Sequence, residues 1–266
     1  MSELPLGEKV SQPKRRDTSV LYPIPRKTYP VTIYGYDLWR SYELSWLNDK
    51  GKPQAGILEV VYPVQSRCIV ESKSLKLYLS GLSYERFSMA AALENTIRED
   101  LEHLLVPEWI SVHIIGQENF PQMICLPHPE GICLDTLDSN IDTYQKDPNL
   151  LSCEPGLLDE ALYSDLLKTN CPITGQPDWA SVAIRYRGKT IDHESLMKYL
   201  CSYRDHEGFA EEVCEQIFID LMERCSPDML SVRCFYTRRG GIDINPLRRT
   251  QPIGPDDIDR ARLIRQ

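Results

Sequence analysis

One cysteine and one aspartate, separated by turn-forming residues, are the side chains in this sequence best suited to covalent chemistry. Cys171 stands seven positions before Asp178, and Pro172, Gly175 and Pro177 lie between them. Proline and glycine favour turns, so this linker is predicted to fold back and bring the carboxyl group towards the sulfur. A thiol beside a carboxylic acid is a nucleophile with a proton donor at hand. The alternative is a buried structural cysteine in a loop that also contains an aspartate.

A second segment has side chains that could bind a ligand. Residues 71–78 read Glu-Ser-Lys-Ser-Leu-Lys-Leu-Tyr and are predicted to join a strand to a helix. Ser72 is predicted to cap the helix, so that the amides behind it can hold an anion, and Lys73 and Lys76 add positive charge. Glu71 can accept two hydrogen bonds from a base edge with adjacent N–H groups, as in guanine. The alternative is a solvated helix start with a capping serine.

Residues 237–243, Thr-Arg-Arg-Gly-Gly-Ile-Asp, follow a predicted strand and combine arginines with paired glycines. The glycines let the backbone approach a phosphate closely, and an arginine can bind the phosphate oxygens. The alternative is a basic β-turn. Because the sequence contains no Gly-x-Gly-x-x-Gly motif, a nucleotide is not expected to bind as it does in a Rossmann fold.

Composition narrows the class of protein. The chain has 266 residues, 42% of them hydrophobic, and a formal charge of −9, which argues against a nucleic-acid-binding surface. Its nine cysteines form no Cys-x-x-Cys pair and its five histidines no His-x-His pair, so neither a disulfide framework nor a metal site is expected. The start lacks the pattern of a signal peptide, and no apolar run approaches membrane-spanning length. We therefore expect a protein of the reducing cytoplasm that does not bind membranes.

The sequence repeats itself at an offset of 120 or 121 residues, which predicts two copies of one module. Residues 74–79 resemble 195–200, and residues 107–112 resemble 227–232. The apolar positions of a predicted long helix match as well, in the pairs Leu93 and Val213, Ile97 and Ile217, and Leu101 and Leu221.

Each copy is predicted to run through two strands, two helices and two further strands. The strands are expected at 57–62 and near 110–115 in the first copy, and at 179–186 and 229–236 in the second. Short helices are expected at 72–79 and 195–203, each followed by a longer helix with apolar residues at every fourth position.

Three further segments lie outside this pattern. Residues 1–30 contain five prolines and are predicted to form an extended arm. Residues 138–156 are expected to connect the two copies, and residues 157–168 are predicted to form a helix that leads into the loop of Cys171.

Several longer segments join these motifs in a fixed order along nearly the whole chain. Near the N-terminus they are residues 21–26, 35–39, 42–48 and 50–54, and further on they are 71–78, 170–178 and 236–246. Together they resemble the NADPH-dependent 7-cyano-7-deazaguanine reductases, the nitrile reductases of queuosine biosynthesis, in their long two-module form. The segment 71–78 fits the motif that separates this family from its relatives.

The resemblance implies an α+β tunnelling fold (T-fold) with tandem modules, each ββααββ, whose antiparallel sheet carries helices on one face. It divides the chain into an N-terminal arm (1–30), a module with the Glu-Ser-Lys-Ser motif (31–150) and a module with the catalytic cysteine and aspartate (151–266). The active site would lie between modules. The resemblance also implies a cytoplasmic homodimer that binds a small 7-deazaguanine and makes no direct contact with nucleic acid or membrane.

The implied reaction reduces the nitrile of 7-cyano-7-deazaguanine to the amine of 7-aminomethyl-7-deazaguanine with two NADPH and no metal, in the pathway of tRNA modification. Cys171 would add to the nitrile carbon as a covalent thioimide, with Asp178 as general acid. Covalent addition turns a weak electrophile into an imine-like group that accepts hydride. The implied substrate contacts are Val70, Glu71, Ser72, Ala210 and Glu211. The implied cofactor contacts are Ser72, Lys73, Arg239 and Gly240.

One position departs from the family pattern, which reads Phe-His-Glu where this chain reads Phe209-Ala210-Glu211. His206 does not fill the gap, because it matches a separate histidine of the family. The close match around Ala210 favours an engineered substitution over natural drift, and the substitution puts full activity in doubt.

Two other functions stay open. A T-fold enzyme that hydrolyses a pterin or purine is disfavoured by the lack of clustered histidine and cysteine ligands. A non-catalytic module that binds purines or a partner protein is disfavoured by the Cys171–Asp178 loop.

Overall fold

An eight-stranded β-sheet runs through the protein and carries four α-helices on one face, in a computed structural model that describes residues 12–266. The predicted α+β class, with a large antiparallel sheet, is confirmed. The predicted arm falls partly outside the described residues, because these begin at residue 12.

The elements alternate between long hairpins and helix pairs. The helices are α1 Ser72–Leu82, α2 Ala90–Leu105, α3 His193–Ser202 and α4 Ala210–Cys225. The strands are β1 Pro23–Pro25, β2 Tyr34–Leu47, β3 Pro53–Pro63, β4 Cys68–Val70, β5 Ser111–Gly116, β6 Cys125–Leu126, β7 Ile132–Cys133, β8 Cys153–Asn170, β9 Pro177–Ile191, β10 Met229–Tyr236, β11 Ile242–Arg249 and β12 Arg262–Leu263.

The order of strands in the large sheet is β5-β3-β2-β11-β10-β9-β8-β7, and all neighbours are antiparallel except β7 and β8. The two copies meet where β2 pairs with β11, with Trp39 opposite Ile244. One continuous sheet therefore joins both copies, and their helices lie side by side on the same face.

Apolar spacing explains why the helices form and how they lie on the sheet. In α1 the buried residues Leu75, Tyr78, Leu79 and Leu82 follow the i, i+3, i+4, i+7 pattern of an amphipathic helix. Neighbouring strand residues point to opposite faces, so Trp39 of β2 packs under α1 and α2 while its neighbour Leu38 packs in a small cluster on the other face. Full burial of one such side chain contributes roughly 1.5–3 kcal/mol.

The repeat predicted from the sequence is also present in the backbone. Both α2 and α4 end at a residue in the left-handed conformation that is not glycine, namely Val106 with φ of 48° and Ser226 with φ of 50°. These residues stand 120 positions apart, and each is followed by a proline. A non-glycine residue rarely adopts this conformation, so its recurrence indicates that both copies terminate this helix in the same way.

The order ββααββ holds in the second copy, as β8-β9-α3-α4-β10-β11, and only partly in the first. The first copy contributes β2, β3 and β5 to one end of the large sheet and the two-residue strand β7 to the other end. Its last strand is reduced to β6, two residues that pair with β12 away from that sheet.

The predicted helix at 157–168 is wrong, because this segment belongs to the strand β8. Two irregularities in the pairing with β9, between Glu154 and Leu157 and between Ser164 and Leu167, shift which residues face inward. Leu157 is exposed whereas Leu167 is fully buried. The leucines of this segment have a spacing that resembles that of a helix, and the two bulges allow a strand to accommodate it. Pairing with β9 therefore overrides the helical propensity of the segment.

The other predicted helices and strands coincide with or overlap observed ones. The strand at 57–62 is part of β3 and that at 179–186 part of β9, while α3 begins two residues before its predicted start. In the arm, β1 pairs with β4, so this part of the arm is held against the first copy. The division of the chain at residues 30 and 150 stays a prediction. Within residues 12–266 no helix combines the length and apolar character that crossing a membrane requires.

Candidate active site

The turn between β8 and β9 positions Cys171 and Asp178. Asp178 pairs with Thr169, and the amide of Cys171 donates to the carbonyl of Gln176 at 2.8 Å. Gly175, whose amide donates to the carbonyl of Cys171 at 2.8 Å, has a φ of +66° that residues with a side chain rarely adopt. The predicted fold-back of this linker is confirmed.

Cys171 and Asp178 line one open pocket, whose walls come from both copies. Of the residues predicted to form the site, the pocket is lined by Val70, Glu71, Ser72, Cys171, Asp178, Ala210, Glu211 and Arg239. Lys73 and Gly240 are both exposed and do not line it. The structure thus brings most of the predicted residues together, while their roles stay predictions.

The thiol of Cys171 is buried and free. Burial raises its pKa, but hydrogen bonds from the side chains of Thr174 and Arg239 and from the amides of Ile173 and Thr174 outweigh burial, so the pKa is lowered below its ordinary value. Because the thiolate is the nucleophilic form, this environment favours reaction near neutral pH.

The carboxyl group of Asp178 behaves in the opposite way. Burial raises its pKa, and the charges of Arg239 and Lys76 oppose that effect without cancelling it. Arg239 Nε lies 3.3 Å from Asp178 Oδ1. A carboxyl group with a raised pKa keeps its proton to higher pH, which suits a general acid.

Arg239 begins the tight turn between β10 and β11. Its amide donates to the carbonyl of Ile242 at 3.0 Å, and Gly240 and Gly241 have φ of 57° and 76°. A two-residue hairpin turn with positive φ at both central positions favours glycine at each of them. The segment is therefore a β-turn, as one of the two interpretations predicted. Arg239 Nη1 also reaches Gln176 Oε1 at 3.1 Å, so this turn is tied to the Cys171 loop.

The predicted capping by Ser72 is wrong, because Glu71 caps α1 and Ser72 is the first helical residue. The carboxylate of Glu71 accepts from the amide of Lys73 at 2.9 Å and from that of Ser74 at 2.7 Å. The amides expected to hold an anion are therefore occupied. Each carboxylate oxygen has a second lone pair, so Glu71 can still accept hydrogen bonds from a base.

Glu211 lies over a buried cluster of charges that the sequence did not reveal. Arg248 is 2.8 Å from Asp37 and 2.9 Å from Glu215, and Arg26 contacts both carboxylates. Both arginines are thus engaged, and Glu211 Oε1 has no partner among the described residues. Burial, and then the charge of Asp37, raises the pKa of Glu211 to about 8.

The pocket also contains residues that were not predicted. Lys76 was noted only for its charge, and Trp39, Phe209 and Tyr236 were not singled out as site residues. A signal existed for all three aromatic residues, because Phe209 stands beside Ala210 in a family motif and Trp39 and Tyr236 fall within the family segments 35–39 and 236–246. These segments alone do not distinguish a pocket wall from ordinary core.

Comparison with known proteins identifies relatives over nearly the whole chain. Residues 13–114 match the family model "Nitrile reductase, 7-cyano-7-deazaguanine-reductase N-term", and residues 177–253 match the model "QueF-like protein". An NADPH-dependent 7-cyano-7-deazaguanine reductase of Coxiella burnetii (strain RSA 493 / Nine Mile phase I) is 48% identical over 257 residues, which cover 93% of this chain and 91% of the relative. The protein of the same name from Desulfotalea psychrophila is 44% identical over 99% of this chain and 97% of the relative. The one from Legionella pneumophila (strain Corby) is 43% identical over 98% of this chain and 94% of the relative.

The matches and the cysteine–carboxylate pocket define the class of protein as a nitrile oxidoreductase. The chain belongs to the family of the NADPH-dependent 7-cyano-7-deazaguanine reductases. The resemblance seen in the sequence is thereby confirmed.

Proposed function

We propose that this protein reduces the nitrile of 7-cyano-7-deazaguanine to the amine of 7-aminomethyl-7-deazaguanine with NADPH, as a step towards queuosine in tRNA. The observation that carries the proposal is the convergence of Cys171 and Asp178 with the carboxyl groups of the half-buried Glu71 and the buried Glu211 in one pocket. The names of relatives that are 43–48% identical to this chain support the same reaction.

The two glutamates recognise the base. A 7-deazaguanine has adjacent N–H groups on its pyrimidine ring and a further N–H on its pyrrole ring, and a carboxylate accepts such hydrogen bonds strongly. Glu71 binds one of these edges and Glu211 the other, while Val70 and Ser72 contact the base between them. Because Glu211 is protonated below about pH 8 in the free protein, binding of N–H donors favours loss of its proton.

Cys171 then makes the covalent bond. Its sulfur donates an electron pair to the nitrile carbon, and the C–S bond forms as one π bond of the nitrile breaks. Asp178 gives its proton to the nitrile nitrogen, which yields a neutral thioimide. The lowered pKa of Cys171 and the raised pKa of Asp178 support this division of roles. Loss of the C–S bond after the first reduction returns the thiolate.

The residues at the mouth of the pocket fit an anionic cofactor. Lys76 is half-buried, and burial followed by the charge of Arg239 lowers its pKa, so two cations lie close together. Gly240 lies against this lysine, since a Cβ there would come within 2.6 Å of Lys76 Nζ, and its φ of 57° favours glycine. Ser72 and Lys73, in the first turn of α1, would hold NADPH together with Arg239 and Gly240. NADPH supplies the two hydrides of the reaction.

Ala210 weakens the site in this proposal. It is the first residue of α4 and lines the pocket, where the family pattern has histidine. With Cys171 and Asp178 intact, addition to the nitrile proceeds. The later steps need tighter positioning, and a small misplacement of reacting groups can cost roughly a hundredfold in rate. We therefore expect slow turnover from a His-to-Ala variant.

The resemblance alone supports the remaining features of the proposal. They are a cytoplasmic homodimer, the arm 1–30, and modules at 31–150 and 151–266.

Product analysis tests the proposal. Incubation with 7-cyano-7-deazaguanine and NADPH, followed by chromatography, should yield 7-aminomethyl-7-deazaguanine with about two NADPH oxidised per amine, as a four-electron reduction requires. The Cys171→Ala protein should yield none, whereas Cys125→Ala, which changes an exposed cysteine outside the pocket, should behave as the parent. Amine formation by the Cys171→Ala protein, or none by the parent and by Ala210→His, would refute the proposal.

A further inference from the structure

Three buried polar atoms without a hydrogen-bond partner in the described part of the chain belong to residues that line the pocket. They are Trp39 Nε1, Glu211 Oε1 and the hydroxyl of Tyr236. A buried polar group left unpaired is destabilising, so such atoms are rare unless a ligand or water satisfies them. Glu211 already has a role in the proposed function, and Tyr236 lies beside the hydroxyl of Thr169. The indole N–H of Trp39 has no role so far.

Packing fixes Trp39 in place. Its side chain is only 3% exposed and belongs to the apolar cluster beneath α1 and α2. On the central strand β2 it is flanked by Val60 on one side and Ile244 on the other. The ring is therefore rigid, and its N–H cannot turn out to bulk water. An indole N–H can only donate, so its partner must be an acceptor.

We infer that Trp39 donates a hydrogen bond to a ring-edge acceptor of the bound base and so determines specificity for it. The inference rests on the proposed function. Glu71 and Glu211 accept hydrogen bonds from the N–H groups of a 7-deazaguanine, but a carboxylate cannot donate to the acceptor atoms of the base. The acceptor atoms on the ring edge are the 6-carbonyl oxygen and N3. With the 6-carbonyl as the partner of Trp39, a base that has an amino group there would put donor against donor, which such sites reject strongly.

Binding measurements with matched analogues test the inference. The Cys171→Ala protein prevents covalent addition, so calorimetry reports the dissociation constant of the base itself. Adding Trp39→Phe removes the N–H and keeps an aromatic ring, and it should weaken binding of 7-cyano-7-deazaguanine about three- to tenfold. Two analogues are compared, one without the 6-carbonyl and one without N3. Trp39→Phe should not weaken binding of the analogue that lacks the acceptor of the Trp39 hydrogen bond, and should still weaken binding of the other. Trp46→Phe is the matched control, because Trp46 packs in the same cluster and does not line the pocket.

A proton spectrum covers the case in which Trp39→Phe does not fold. In the intact protein, the indole N–H resonance of Trp39 should move downfield when the base binds, while that of Trp46 stays in place. Equal weakening by Trp39→Phe for the base and both analogues, or an unmoved Trp39 resonance in the saturated protein, would overturn the inference and leave the proposed function standing. Failure of the parent and of Cys171→Ala to bind the base at all would refute the proposed function itself.

Discussion

A buried tyrosine–aspartate pair occurs at equivalent places in the two copies of the module. In the first copy Tyr78 donates to Asp100, in the second Tyr199 donates to Asp220, and both hydrogen bonds measure 2.6 Å. The partners stand 121 and 120 residues apart, in step with the repeat. What the copies share is thus the scaffold that fixes the short helix against the long one.

The copies differ where they meet the pocket. The β8–β9 turn of the second copy contains Cys171 and Asp178, whereas the β2–β3 turn of the first is a short loop around Gly51 that does not line the pocket. The short helices are capped by Glu71 in the first copy and by Asp192 in the second, yet only Glu71 lines the pocket. Each copy therefore supplies a different part of one site, and the comparison predicts which substitutions affect function.

The largest effect is expected at the turn that distinguishes the copies. Cys171→Ala should reduce the rate of nitrile reduction by at least about a thousandfold, because the nucleophile is lost. Asp49→Ala, in the corresponding turn of the first copy, should leave the rate within about twofold. Steady-state NADPH oxidation measures both. A comparable loss in the Asp49→Ala protein would show that the two turns do not differ in function.

The next effect concerns pH and the first turn of α4. Glu211 has a pKa of about 8 in the folded protein, well above that of an ordinary carboxyl group, so the folded state holds a proton that the unfolded chain has lost. Its contribution to the free energy of unfolding is present below about pH 4.5 and falls as pH rises towards 8, by at most about 1.4 kcal/mol per pH unit.

Denaturant titrations between pH 5 and 8 check this dependence. Glu211→Gln should flatten it, whereas Glu99→Gln, which changes an exposed glutamate of α2, should not. A slope that persists unchanged in the Glu211→Gln protein would assign the dependence to other groups.

The two helix caps should separate stability from binding. Glu71→Ala and Asp192→Ala each remove a cap and should lower the free energy of unfolding by about 0.5–2 kcal/mol. Only Glu71→Ala should also raise the Michaelis constant for the nitrile, about ten- to a hundredfold, because a charge-assisted hydrogen bond to the base is lost. Equal Michaelis constants in the two variants would show that Glu71 is merely a cap.

The smallest effect is expected at the first residues of the long helices, Ala210 in α4 and Ala90 in α2. Ala210→His should raise the yield of amine several-fold, since the imidazole fills the gap beside the base. Ala90→His, at the equivalent place of the first copy, should leave the yield unchanged. Chromatography counts the amine formed per NADPH oxidised, and identical yields from Ala210→His and the parent would make position 210 catalytically neutral.

Local patterns predicted the helices and much of the pocket. Apolar residues at every fourth position predicted α2 and α4. The turn-forming residues after Cys171 predicted the fold-back that brings Asp178 into the pocket. The strand β8 was missed because two bulges give its leucines a helix-like spacing. The cap of α1 was misassigned because serine is a common capping residue, while the extended backbone at Glu71 lets its longer side chain reach the same amides.

Contacts between the copies could not be predicted, because they depend on the pairing of β2 with β11. That pairing sets Trp39 beside Ile244 in the pocket wall. It also brings Asp37 of β2 against Arg248 of β11, which forms the charge cluster beneath Glu211. The sequence around Trp39 and around Asp37 does not reveal which residues of β11 they contact.

Intact-protein mass spectrometry shows directly whether Cys171 forms a covalent bond with the nitrile. Incubated with 7-cyano-7-deazaguanine and no NADPH, the protein should gain the mass of one ligand, and peptide mapping should place it on Cys171. Asp178→Asn should slow this gain, Cys125→Ala should leave it unchanged, and Cys171→Ala should abolish it. An adduct on another cysteine, or one that survives in the Cys171→Ala protein, would contradict the claim that the β8–β9 turn carries the nucleophile.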